Sequence, residues 1–492
     1  MPLGLPDNAV EIALNTASDA GASTAHVRVA RHENRGISTR DGDVENIASD
    51  SSTAASVRVV VNGAWGFAAT HDLTEHGISD ATHRAIAMAK ISAAVSAAPV
   101  NLAPEPNYGV AHWSMPKEID AMAVSDADVV ALLQDWNARL AASSVVHHID
   151  AHVAMGRDTT FFADLNGNRL TQDRDRISAQ LTAIHIGEGG FDDMRTCAPP
   201  AGRGWEYLLG TGWNWDEELA QIPDWLEEKV KSPSVEPGTW DLVIDPTNLW
   251  LTIHESIGHA TELDRALGYE ANYAGTSFAT VDKLNNFKYG SPLLNVTGDR
   301  NAQHGLSTVA WDDEGVAAQQ WNLIKDGILV GYQTDRSIAA HVGLERSNGC
   351  AFADSALHTP IQRMPNVSLQ PGKHERSTQD LIAGVDKGIY IVGDKSWSID
   401  MQRYNFQFTG QRFFEIKNGK IVGQLKDVVY QSKTPDFWGS MVDIGGPSTY
   451  LLGGALNCGK GQPGQVAPVS HGCPSAVFSN INVLNGRKEA SQ

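Results

Sequence analysis

Cysteine is scarce in this chain. Four thiols, Cys197, Cys350, Cys458 and Cys473, are spread over 492 residues. They are too few and too scattered for a disulfide framework. In a reducing compartment a buried thiol is inert packing unless it serves as a ligand or nucleophile. Basic charge is also short: 38 Lys and Arg stand against 58 Asp and Glu, a net charge of −20. Such a surface repels nucleic acid and anionic membrane, so neither is an expected partner. No Lys or Arg precedes Arg28, so the basic n-region of a secretory signal is missing. No apolar run approaches the length of a membrane span. The cytosol is the expected compartment.

What is present is ordinary soluble composition, 42% hydrophobic and 20% charged, in a chain long enough for two domains. Asp7 is placed to cap a first helix, with Val10, Leu14 and Ala17 on one face and Gly21 as its stop. Asp41-Gly42 and Asn62-Gly63 are hairpin-turn signals between alternating strands. An Ala- and Ile-rich helix over 79–94 follows, then a proline-punctuated connection over 98–116. A second cycle opens at Ser125 or Asp126 with a helix whose Val129, Leu132, Leu133, Trp136 and Leu140 form a core stripe. Strands are expected over 145–154, 159–163 and 176–186. On the first of these His148, Asp150 and His152 share a face, which reads as a polar strand face or, alternatively, a metal site. A helix over 216–231 is expected to break at Pro223. The Pro/Ser/Gly run from Ser232 to Gly238 is the best boundary, giving domains 1–231 and 232–492.

Beyond it, the buried strand 240–244 leads through Asp245-Pro246 into a helix. Short strands follow at 293–297, 308–311, 323–324, 328–332, 388–392, 406–409, 412–416 and 420–422. The fold class expected is α+β: an amino-terminal α/β-hairpin domain, then a larger, mainly antiparallel β domain carrying that helix.

The helix holds His254-Glu255-Ser256-Ile257-Gly258-His259. Two neutral imidazoles suit zinc, and a carboxylate beside the metal can take a proton from water. The histidines are five apart rather than four. On a regular α-helix, at ~100° per residue, they would diverge by roughly 140°. They converge only if one extra residue makes a π-type bulge, a feature that gathers at functional sites. Gly258 would ease the distortion. The alternative is two unrelated helix histidines and a surface glutamate.

A catalytic zinc wants three protein ligands and an open position. From chemistry alone the third is one of Glu262, Asp264, Glu270, His341, Cys458, His471 or Cys473. Cys458 lies in a glycine-flanked loop that lets backbone approach closely, and Cys473 is its rival. Asp312-Asp313-Glu314 reads as a solvated turn, or as a support for a ligand histidine. Arg363 and Asn366 are weaker candidates for substrate backbone.

Several stretches carry a resemblance: HESIGHATELD from His254, WDDEG from Trp311, KDGILVGYQTDR from Lys325, RMPNVSL from Arg363, GQRFFEIKNGKI from Gly410 and NCGKGQ from Asn457. RDGDVENI from Arg40 and VRVVVNGAWGFA from Val57 extend it to the first half. Together they resemble the TldD/PmbA family of zinc metallopeptidases, and the retained HExxxH pattern resembles its TldD type. The resemblance implies zinc on His254, His259 and Cys458, with Glu255 as general base. It also implies a buried site between two domains, open to unfolded or short peptides, and a PmbA/TldE-like partner subunit or a homodimer. A non-peptidase enzyme of natural-product or modified-peptide biosynthesis, using the same metal cradle, is the alternative.

Overall fold

The computed structural model describes residues 2–96, 98–187, 190–461 and 464–489, without the side chains at 2, 7, 488 and 489. The first helix, α1 (Asp7–Asp19), precedes two long hairpin strands, β1 (Ala22–Arg40) and β2 (Asp43–Val61). The expected cap, the Asp7 side chain, lies outside the described residues. Asp41 and Gly42, at φ 50° and 87°, turn β1 into β2; Asn62 and Gly63, at 53° and 75°, turn β2 into β3 (Ala64–Thr70). Both are the positive-φ pairs a two-residue hairpin requires. After α2 (Glu75–Ala93), the expected connection contains an edge strand, β4 (Val110–Ser114). Ser125 caps α3 (Asp126–Ala141) through the Asp128 N–H.

The two strands expected at 145–154 and 159–163 are one, β5 (His148–Asp164), followed by β6 (Arg169–Gly187) and β7 (Gly190–Arg195). Polar residues that look like a break in sequence are satisfied across the sheet: Asp158 pairs with His32 of β1 and with Arg174 and Arg176 of β6. α4 (Trp215–Lys231) runs unbroken through Pro223, because Trp215, Leu219, Ile222 and Leu226 bury one continuous stripe. The sheet order is β3-β2-β1-β5-β6-β4, with β7 also on β6; only β4 runs parallel to its neighbour. The helices cover one face. Ile149, Ala151, Val153 and Met155 of β5 point into that core, where Trp136 and Trp215 stack at 4.7 Å.

In the second half, β8 (Gly238–Ile244) joins the strands 387–399, 405–417, 428–433 and 476–485. Pairing of 387–399 with 405–417 closes these five into a ring. One contact in it, β8 with 387–399, is parallel. Asp245 caps α5 (Pro246–Ile253) through the Thr247 N–H, with Pro246 at the first helical position. Asn248 of α5 donates to the carbonyls of Gly393 and Thr409 and accepts from Tyr430, tying the helix to the ring. The result is an α+β fold with mainly antiparallel sheets.

No strand forms at 308–311. The stretch makes one isolated bridge, Trp311 with Ala317, and Gln172 of β6 donates to the Trp311 carbonyl at 2.8 Å and accepts from the Ala310 N–H at 3.2 Å. Nor is the acidic stretch after it solvated. Asp313 pairs with Arg28 of β1 at 2.9 Å, and Glu314 with Arg58 of β2 at 2.8 Å, all four side chains buried. Asp312 accepts the backbone N–H groups of Glu314, Val316 and Ala351. These contacts seat the second half against the first sheet. Among the described residues no helix is long and apolar enough to cross a membrane.

Candidate metal centre

α5 changes its winding at its carboxyl end. Residues His254–Gly258 form a single π turn, then His259–Thr261 a short 3₁₀ turn. The extra residue brings His254 and His259 to one side, with ring centroids 4.6 Å apart. Gly258 is not there for backbone freedom: its φ is −52°. A Cβ at this position would stand 2.6 Å from Met364 Sδ, so a larger residue would have to move the end of that side chain.

The third group arrives from the hairpin 451–460/465–473. Its register shifts between Ala455 and Cys458, and such a bulge re-aims side chains. Cys458 Sγ lies 3.7 Å from His259 Nε2. His254, His259 and Cys458 offer ligand atoms within 4.8 Å of one another, all buried, and no other such group of three occurs among the described residues.

The protonation of both rings follows from their other nitrogens. His471 Nδ1 faces the Val367 carbonyl at 2.8 Å and must donate to it. Its Nε2 is then an acceptor, and takes a proton from His254 Nδ1 at 2.7 Å. His259 Nδ1 donates to Glu262 at 2.8 Å. Each Nε2 is left with a lone pair for the site. Burial holds both imidazoles below their usual pKa, hence neutral. Burial raises the Cys458 thiol, and the charge of the Arg363 guanidinium pulls against it.

Two neutral imidazoles and a thiol, which a metal deprotonates on binding, are a borderline-soft donor set suited to zinc. Tetrahedral zinc with metal–nitrogen distances of about 2.0–2.1 Å and metal–sulfur of about 2.3 Å separates N from S by about 3.6 Å, against the 3.7 Å found. The residues fit such an ion.

The other candidates lie elsewhere. Glu262 accepts from His259, Arg265 and Lys460. Asp264 is held by Lys460, and Glu270 faces the Gly461 N–H. His341 turns to its own backbone at Ile338. Cys473 sits against the Pro246 carbonyl, its thiol pushed well up by burial. His148 pairs with Asp41 rather than with Asp150 or His152. Arg363 donates to the carbonyls of Cys458 and Gln465, and Asn366 to that of Asp299, so both are buried supports rather than groups open to a substrate.

Glu255 projects beside the three groups. Its Oε2 accepts from Arg403 at 2.7 Å, and its other oxygen makes no bond to the described residues. Arg403 is the residue that sequence reasoning missed. It occupies the turn between strands 387–399 and 405–417 at φ 64°, a conformation disfavoured for arginine. Asp400 enforces that turn by accepting the N–H groups of Gln402, Tyr404 and Asn405. An aspartate followed by polar residues in a loop is too common a pattern to have singled it out.

The centre opens into a cavity of about 660 Å³. Its walls come from both halves: Trp250, Trp397 and the 453–459 backbone on one side, His152, Gln180 and Arg195 of the first sheet on the other.

Comparison with known proteins places these features in context. Residues 237–485 match the model of the PmbA/TldA metallopeptidase C-terminal domain, and residues 25–89 that of PmbA/TldA metallopeptidase domain 1. A protein of Methanothermobacter thermautotrophicus named as a metalloprotease is 26% identical over 470 residues, covering 93% of this chain and 95% of its own. One from Saccharolobus solfataricus, named as a zinc metalloprotease TldD homolog, is 22% identical over 430 residues, 86% and 88% of the two chains. The crystal structure of TldE from Thermococcus kodakarensis shares the fold, with a TM-score of 0.72 at 16% identity over 96% of this chain and 99% of that one.

Proposed function

This chain belongs to the TldD/PmbA family of metallopeptidases, and from that membership we propose that it is a zinc-dependent peptidase acting on short or unfolded peptides. The observation that carries the reading is the convergence of two imidazoles and one thiol within 4.8 Å, beside a glutamate with one oxygen held and one free. Zinc would be held by Nε2 of His254 and of His259 and by Sγ of Cys458. When bound, it would supply Lewis acidity to a scissile carbonyl and to an attacking water.

The chain's own residues do the rest. Glu255 takes the proton from the attacking water and returns it to the departing amine. Arg403 fixes Glu255 through Oε2, so the oxygen that moves the proton keeps one orientation. Its remaining N–H groups are donors for the negative oxygen that develops on the former carbonyl. Glu262 and His471 hold the two imidazoles in the tautomers the metal needs. The cavity, about 660 Å³ between residues of both halves, takes a few residues of extended chain and no folded domain. We take the halves as domains 1–231 and 232–492, the compartment as the cytoplasm, and the companion as a PmbA/TldE-like chain or a second copy of this one.

The test is digestion of an unfolded peptide by the zinc-loaded protein and by Glu255→Gln. The variant is expected to keep its zinc and lose at least about a hundredfold in turnover, the scale of a general base. Undiminished turnover would remove Glu255 from the mechanism.

A further inference from the structure

The first sheet does not end where the metal cavity does. β5 and β6 pair His152 with Gln180, Ala154 with Ser178, Gly156 with Arg176 and Asp158 with Arg174. These pairs form four successive rows on the face opposite the helices. The first row and Ser178 of the second line the metal cavity. Ala154, Gly156, Arg176 and Asp158 line a second cavity of about 370 Å³. Leu456, on the hairpin strand that carries Cys458, borders both. The two cavities are neighbours along one trough, with Leu456 between them. From first row to last the trough runs about 20 Å at ~3.4 Å per residue, the reach of roughly six residues of extended peptide.

The floor of the second cavity is small at its middle, with Gly36, Ala154 and Gly156. Its far end is polar. There Asp158 is shared by His32, Arg174 and Arg176, and Asn34, Arg35 and Asp50 add further polar groups to the lining. A bare floor admits side chains, and a polar end offers hydrogen-bond partners to a main chain.

We propose that the second cavity is a peptide subsite, taking the extended continuation of a substrate chain whose scissile bond lies at the metal centre. The chain passes Leu456 to reach it. The inference rests on the peptidase reading and narrows it to oligopeptides of about six residues or more.

Binding to zinc-loaded Glu255→Gln tests this without turnover. Fluorescence anisotropy would compare a labelled tripeptide with a labelled octapeptide of the same uncharged composition. The octapeptide is expected to bind at least tenfold tighter. Two added substitutions block the second cavity from opposite walls: Ala154→Trp from the floor, and Val466→Trp from the hairpin, where Val466 is 49% exposed and a larger side chain is tolerated. Each is expected to cut the preference below threefold; should Ala154→Trp fail to fold, Val466→Trp decides. Equal binding of both peptides, or a tenfold preference that survives the block, overturns the subsite and leaves the peptidase reading standing. Binding of neither peptide overturns both.

Discussion

His471 orders one ring of the candidate metal centre from outside the group of three. Its Nδ1 is committed to a backbone carbonyl, so its Nε2 can only accept, and the proton it accepts fixes the tautomer of His254. His471→Phe keeps the volume and removes the acceptor. Zinc affinity, measured by competition with a chelator, is expected to fall about 10–100-fold, the usual worth of such a support. Unchanged affinity would mean that packing against Trp250 alone orients the ring. At this scale the sequence was partly legible. His254, Glu255 and His259 announce themselves by type and spacing. His471 stood among the candidate ligands because its chemistry was right, but which of its nitrogens was engaged depended on Val367, over a hundred residues away. Arg403 carried no signal, because its role comes from a backbone conformation that Asp400 imposes.

Among the elements, the π turn matters most. Five-residue histidine spacing predicts it from helical geometry alone, and the structure has it. The reason for Gly258 was misread: the constraint is Met364, not φ. Gly258→Ala is therefore expected to lower stability by about 1–3 kcal/mol through overpacking while zinc stoichiometry stays at one. Chemical denaturation and metal analysis read the two separately. A variant of native stability would show that Met364 yields freely. Elsewhere, turns were legible where two positive-φ residues had to follow one another, as at 41–42 and 62–63. Strand limits were not. The expected strand stopped at Ala154, short of Asp158, whose partners on β1 and β6 are invisible in local sequence. At 308–311 a run expected as a strand makes only a single bridge, Trp311 with Ala317, and leans on a side-chain amide, Gln172, as well.

The whole molecule is held across its halves by buried charge. Arg28–Asp313 and Arg58–Glu314 join the first sheet to a loop more than 250 residues later. Read as sequence, three consecutive acids look like a solvated turn, and nothing local says that two arginines wait for them. Breaking such a pair strands a buried charge. Arg28→Met is expected to destabilise the protein by about 3–5 kcal/mol, seen in its denaturant midpoint. A change within about 0.5 kcal/mol would mean the pair only offsets its own desolvation. Because the cavity draws walls from both halves, this seam also sets the distance between the metal centre and the strands that face it. The measurement that tests the account most directly is zinc content in two cysteine variants. The native chain and Cys473→Ser are expected to hold one zinc each, and Cys458→Ser to lose it. Zinc retained by Cys458→Ser, or lost from Cys473→Ser, would contradict the centre described here.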